Sequence, residues 1–194
     1  MKIVVATKNN HKVNELKEML DMPEIEFFTM KDMNINLEIE ENGKTFEENA
    51  IIKATAVYNA LNDENLIVIA DDSGLCVDAL EGAPGIFSAR YSGGNDKDNN
   101  IKLIEKLKDV PPLKRTAHFT CCIALVSKTV QKTFTGFCYG LIDKEERGTH
   151  NFGYDPLFYY PKYQKTFGEM EPEDKNKVSH RANAVKLLKE WLNS

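Results

Sequence analysis

The chain has 194 residues, 42% of them hydrophobic and 28% charged, with 25 Lys+Arg against 30 Asp+Glu and a formal net charge of −5. A chain of this length is expected to form one domain, residues 1–194, burying roughly 70% of the surface it exposes when unfolded, without disulfides or a structural metal to complete the core. The acidic balance disfavours a nucleic-acid binder, whose surface is basic, but leaves room for a small anion held by a local cluster of Lys and Arg.

Ile3-Val4-Val5-Ala6 is a β-branched run that leaves through the polar loop Thr7-Lys8-Asn9-Asn10, after which Val13, Leu16, Met19 and Leu20 recur at helical spacing. Pro23 closes that helix and Ile25–Thr29 reads as a second strand, which makes an α/β opening. Leu37–Lys44 is an acidic loop carrying Glu38, Glu40, Glu41 and Gly43. Thr45-Phe46-Glu47-Glu48 then fits a capping box, and Phe46, Ala50, Ala54, Val57 and Leu61 give the following helix its buried face. The most apolar strand, Leu66–Ala70, is expected to end abruptly in an Asp71-Asp72-Ser73-Gly74 turn.

Gly82-Ala83-Pro84-Gly85 and Ser92-Gly93-Gly94-Asn95 read as loops. Ile101, Ile104 and Leu107 mark a helix stopped by Pro111-Pro112. Arg115–Val126 and Thr129–Ile142 read as an antiparallel hairpin turning at Ser127-Lys128, so the sheet is mixed. A loop-rich stretch runs from Lys144 to Lys177, and Ser179 caps a last helix with Ala182, Val185, Leu188 and Leu192 on its buried stripe. One domain in two lobes, divided near residues 71–115, accounts for this order.

The longest apolar runs, Leu66–Ala70 and Cys121–Val126, fall far short of the ~20 residues that cross a bilayer, and Ile3–Ala6 is too short for the roughly 7–15-residue core of a secretory signal. No membrane partner and a cytoplasmic location are expected. Cys76, Cys121, Cys122 and Cys138 include no CxxC and no His at metal-finger spacing, so they read as reduced thiols in the core.

Four segments could carry chemistry. Thr7–Lys12 lies where an α/β fold binds phosphate, beyond the carboxyl end of a strand and before a helix N-terminus; it has Lys8 and Lys12 but none of the glycines of a Walker loop. Asp71 and Asp72 would repel one another unless a cation or hydrogen bonds compensate, and Mg²⁺, which takes one or two carboxylates plus waters and substrate phosphates, would do so with a carboxylate from the Glu38-Glu40-Glu41 loop; a solvated turn is the alternative. Lys175, Lys177, His180 and Arg181 gather cations at the expected start of the last helix, against its macrodipole, which an anionic or hydrogen-bond-accepting ligand would explain. Phe152-Gly153-Tyr154-Asp155-Pro156 offers aromatics either as a face for a base or as core packing.

These segments, with Thr45–Ala50, Ala70–Leu75, Gly82–Gly85, Ser88–Tyr91 and Ser179-His180-Arg181, follow one another in the order and over the extent that resembles the inosine triphosphate pyrophosphatase family, from residue 3 to about residue 190. The resemblance implies a long, bent mixed β-sheet flanked by helices, in two lobes with the active site in the cleft between them. It implies Mg²⁺-dependent hydrolysis of dITP, ITP and XTP to the nucleoside monophosphate and pyrophosphate by a cytoplasmic homodimer. By motif position, Thr7, Lys8, Asn9, Asn10, His11 and Lys12 would hold the triphosphate, with Lys12 also catalytic, and Asp72 would be the general base for the attacking water. Glu41 would join Asp72 on the metal, Glu40 being the other candidate. Ser73, Phe152, Gly153, Tyr154, Asp155, Lys175, His180 and Arg181 would complete the substrate site. Many relatives have a glycine pair where this chain has His150-Asn151. Donors from His180, Arg181 or loop amides would favour the 6-oxygen of hypoxanthine and xanthine over the amine of adenine, because a buried donor facing an amine goes unpaired.

Overall fold

The computed structural model describes residues 1–7, 10–61 and 63–194, with the backbone alone for residues 10–12. The strands are β1 (Lys2–Val5), β2 (Glu26–Thr29), β3 (Ile67–Val77), β4 (Thr116–Val126), β5 (Gln131–Ile142), β6 (Phe158–Tyr160) and β7 (Lys165–Thr166), hydrogen-bonded in the order β2-β1-β3-β4-β5-β6-β7. β1 pairs in parallel with β2 and β3, while β6 pairs antiparallel with β5 and β7. The sheet is therefore mixed, as the hairpin in the sequence requires. The helices are α1 (Asn10–Leu20), α2 (Phe46–Leu61), α3 (Asp96–Lys106), α4 (Pro172–Val178) and α5 (His180–Leu192).

The chain forms two compact units. The first comprises Met1–Asp72, Cys121–Gly136 and Arg181–Ser194; the second comprises Ser73–Thr120 and Phe137–His180. The backbone passes from one to the other within β3, β4 and β5.

In the first unit, side-chain alternation along the strands sorts the core into two layers. Ile3, Val5, Ile69, Cys121, Ile123 and Leu125 pack with Val13, Leu16 and Leu20 of α1 and with Ala184, Val185 and Leu188 of α5. Val4, Val68, Ala70, Cys122, Ala124 and Val126 face the other way, onto Ala50, Ala54 and Val57 of α2. Both faces are covered, which is why Cys121–Val126 is apolar without interruption. The α5 stripe includes Ala184 where the spacing predicted Ala182, which is half-buried.

The second unit covers one face of its strands. Leu75, Val77, Ala117, Phe119, Cys138 and Ile142 pack on Leu103 and Leu107 of α3 and on Tyr154, Leu157, Phe158, Phe167 and Met170. Phe137 and Tyr139 stand exposed on the opposite face beside His118. Buried Arg115 closes the C-terminal end of α3, donating to the carbonyls of Leu107 at 2.7 Å, Val110 at 2.9 Å and Asp143 at 3.3 Å.

All four cysteines are free, and burial pushes the Cys138 thiol pKa up to about 12. Among the described residues no helix is long and apolar enough to cross a membrane. Three local expectations change. β3 runs straight through Asp71–Gly74 instead of turning there. The loop-rich stretch contains β6, β7 and α4, elements too short to show a period. Thr45 Oγ1 accepts from Glu48 N–H at 3.1 Å as a capping box demands, but the Glu48 carboxylate reaches the Lys44 N–H, one residue earlier than predicted.

Candidate functional site

The continuation of β3 decides the geometry around Asp71 and Asp72. Successive side chains on a strand point to opposite faces, so the two carboxylates are directed apart instead of crowding one turn. Asp71 follows Ile69 toward α1 and α5, where Arg181 meets it at 3.3 Å and also meets Glu15 of α1 at 3.0 Å. The guanidinium, with Asp71, borders a cavity of about 20 Å³ walled by Val5, Leu16, Ile69 and Ile123. Burial there opposes the Arg181 charge, and the carboxylates of Asp71 and Glu15 help to reverse that, leaving its pKa above the ordinary value.

Asp72 follows Val68 and Ala70 toward α2. Its Oδ1 lies 3.1 Å from Lys53 Nζ, and its Oδ2 accepts from Asn49 Nδ2 at 3.3 Å. The same ammonium meets Glu41 Oε2 at 3.0 Å. Asn49 and Lys53 are four residues apart and share a helix face. Asn49 also accepts from the Gly43 N–H at 2.8 Å, tying the acidic loop to α2. A Cβ at Gly43 would fall 2.7 Å from that Asn49 oxygen, so only glycine permits the approach.

The same loop sends Glu40 and Glu41 to different sides. Met33, Ile35, Leu37 and Ile39 turn inward onto the α2 layer, so Glu41, in phase with them, faces Lys53 while Glu40 is exposed. Burial raises the Asp72 pKa; the Lys53 charge and hydrogen bond pull it back, and Glu41 adds to the rise. For Lys53, burial acts to lower the pKa, and Asp72, Asp71 and Glu41 more than reverse it.

Glu41 and Asp72 thus aim two hard oxygen donors at one cationic position, a donor set suited to a divalent ion that completes its shell with water and phosphate. Among the described residues no group of three or more His, Cys, Asp or Glu could hold a metal unaided. Asn49 and Lys53 were not singled out by the sequence reading. The available signal was that Lys53 is the sole basic residue in α2.

The phosphate-loop candidates are only partly placed. Thr7 follows the end of β1, where its carbonyl accepts from Met30 N–H at 3.4 Å. Lys8 and Asn9 lie outside the described residues, as do the side chains of Asn10, His11 and Lys12, whose backbone begins α1. Ser73, next to Asp72 on β3, opens the second unit.

In the second unit, the 152–155 segment places one aromatic outward and one in the core. Phe152 is 61% exposed, whereas Tyr154 is 5% exposed, its hydroxyl donating to the Ser88 carbonyl at 2.8 Å and its pKa raised mainly by burial. Asp155 is ion-paired with Lys175, whose Nζ also lies 5.7 Å from the Phe152 ring centroid. His180 is buried and stacks on Phe119 at 4.7 Å with an interplanar angle of 15°.

Lys175 and Lys177 do not sit at the start of the last helix. They occupy the final turn of α4, where cations favour the macrodipole, and exposed Lys177 pairs with Asp174 at 2.9 Å. The electrostatic conflict expected of that cluster is therefore absent for these two lysines.

The chain is similar to known proteins over nearly its full length. A dITP/XTP pyrophosphatase of Clostridium perfringens is 46% identical, the alignment covering 98% of this chain and 97% of the relative. One of Listeria monocytogenes is 47% identical, covering 98% and 94%. Among solved structures, the Ham1 protein of Staphylococcus aureus superposes with a TM-score of 0.91 at 41% identity, covering 100% of this chain and 98% of that one, and a HAM1 protein of Coxiella burnetii with 0.90 at 39%, with the same coverage. The Ham1 family model itself matches residues 3–191, and the chain belongs to that family.

Proposed function

We propose that this chain is a Mg²⁺-dependent pyrophosphatase of non-canonical purine nucleoside triphosphates, converting dITP, ITP and XTP to the nucleoside monophosphate and pyrophosphate. Its place is the cytoplasmic nucleotide pool, and its two units make up one catalytic domain that works as a homodimer. The observation that carries the reading is the convergence of Glu41 and Asp72 on one cationic position, in a chain 46% identical across nearly its whole length to a protein named dITP/XTP pyrophosphatase.

Attack between the α and β phosphorus atoms requires neutralised charge and a positioned water. Glu41 and Asp72 would hold the magnesium ion, which supplies the charge neutralisation. Lys8, Lys12 and Lys175 add positive charge along the triphosphate, and Thr7, Asn9, Asn10, His11 and Ser73 contribute hydrogen-bonding groups to it. Asp72 orients the attacking water and takes its proton, a role favoured by a pKa that burial has raised. Asn49 and Lys53 fix the carboxylate in place. Phe152 offers its exposed ring to the purine, Gly153, Tyr154 and Asp155 form the loop behind it, and His180 and Arg181 supply donors suited to a 6-oxygen.

The test is product analysis on ITP, dITP, XTP, ATP, GTP and dUTP, with and without Mg²⁺. Pyrophosphate should be the first product from ITP, dITP and XTP; orthophosphate instead, or no turnover at all, overturns the reading. Asp72→Asn should lower kcat by about 100-fold or more at saturating Mg²⁺, and near-normal turnover removes Asp72 from the base role.

A further inference from the structure

Near the start of α3 lies a polar cluster to which the foregoing chemistry gives no task. Asn95 caps the helix, accepting from Asp98 N–H while Asp98 accepts from Asn95 N–H, both at 3.1 Å, so the first turn is fixed. One turn apart on that helix, Asp96 and Asn100 hold the two peptide units that flank the Gly153 Cα, one from each side. Asp96 Oδ2 accepts from the Gly153 N–H at 2.9 Å, and Asn100 Nδ2 donates to the Gly153 carbonyl at 3.1 Å.

Asn100 is 2% exposed, and its Nδ2 also donates to Glu146 Oε1 at 2.7 Å. Two acceptors on that nitrogen set the orientation of the amide. Gly153 has φ +54° and a Cβ there would meet nothing within 4 Å, so the glycine serves backbone conformation, which the two side chains then hold. The residues that follow are fixed as well: Tyr154 by the Ser88 carbonyl, which Asn99 Nδ2 also reaches at 3.4 Å, and Asp155 by Lys175. Phe152 alone projects outward, at the end of a segment whose next three residues are each anchored.

We propose that Asp96 and Asn100 are positioning residues for purine recognition, bracketing both ends of Gly153 so that the Phe152 ring is presented in one place to the base. The proposal rests on the reading of residues 152–155 as the base-binding segment. A buried amide at this point does more than fill space, because it must offer a donor to two acceptors at once. Asn100→Asp keeps the shape and removes that donor, setting a carboxylate oxygen against Glu146 and the Gly153 carbonyl. Asp96→Asn retains an acceptor for the Gly153 N–H, whereas Asp96→Ala does not.

The test compares wild type, Asn100→Asp, Asp96→Ala and Asp96→Asn in dITP turnover, inhibition by inorganic pyrophosphate, and direct binding of inosine 5′-monophosphate. Asn100→Asp and Asp96→Ala should raise KM for dITP about tenfold with kcat within about threefold, because only base binding is loosened. Pyrophosphate inhibition should be unchanged, the monophosphate should bind about tenfold more weakly, and Asp96→Asn should restore most of the loss. Unchanged KM, or a fall in kcat alone with a lowered melting temperature, overturns the proposal by reducing the cluster to a structural brace. If wild type releases no pyrophosphate from any purine triphosphate, it is the proposed function that fails. The monophosphate affinities then decide the positioning role alone, equal values in wild type and variants refuting it.

Discussion

Asp72 answers to two demands, a metal and a proton, and the surrounding charges set how it can meet both. Its carboxyl is raised by burial and pulled back by Lys53, 3.1 Å away. To act as a base it must be ionised, so activity should fall as the pH drops through that raised value. Lys53→Met removes the pull while keeping most of the side chain's volume; the Asp72 pKa then rises further. The acid limb of kcat/KM should therefore move to higher pH. A limb that stays in place in Lys53→Met would assign it to another group. The adjacency of Asp71 and Asp72 was legible in the sequence as a charge problem. Its solution was not, because the choice between a turn and a continued strand rests on pairing with neighbouring strands that lie far off in the chain.

At the scale of elements, the structure rewards period and penalises brevity. β1, α2, β4 and β5 lie within a residue or two of their expected bounds, because each is long or apolar enough for its alternation or helical stripe to stand out. The odd-numbered apolar residues from Met33 to Ile39 already carried the phase that turns Glu41, and not Glu40, toward Lys53, though an extended segment outside any sheet gave little reason to read it as alternating. β6, β7 and α4 hold three, two and seven residues, too few to show a period.

Arg115 illustrates a second limit: it reads as the first residue of a strand, yet its guanidinium serves three carbonyls around the end of α3. Arg115→Met keeps the apolar stem and leaves those acceptors without their donor. Each buried unpaired polar group costs about 1–3 kcal/mol, so the variant should lose about 3 kcal/mol or more. That corresponds to a fall of about 6–12 °C in melting temperature for a chain of this size. A loss under about 1 kcal/mol would mean that water replaces the guanidinium at all three carbonyls.

For the molecule as a whole, the net charge of −5 conceals a local balance. The buried and half-buried carboxylates here are each matched by a cation from the chain itself: Asp72 and Glu41, which would receive a metal, by Lys53, and Asp71 and Glu15 by Arg181. A protein whose acidic site lacked such partners would depend on the ion for its fold, since buried like charges cost several kcal/mol when uncompensated. Here Lys53 supplies the counter-charge, so activity and stability should separate on chelation. EDTA should abolish pyrophosphate release, and Mg²⁺ restore it, while the melting temperature of wild type moves by less than about 2 °C. Lys53→Met should behave differently: with Glu41 and Asp72 facing one another unbridged, added Mg²⁺ should raise its melting temperature well beyond the wild-type shift, because an ion that binds only the folded state stabilises it by RT ln(1 + [Mg²⁺]/Kd). Thermal unfolding of both proteins across a Mg²⁺ titration makes the comparison, and a wild type that melts early in EDTA would show that the lysine does not substitute for the ion.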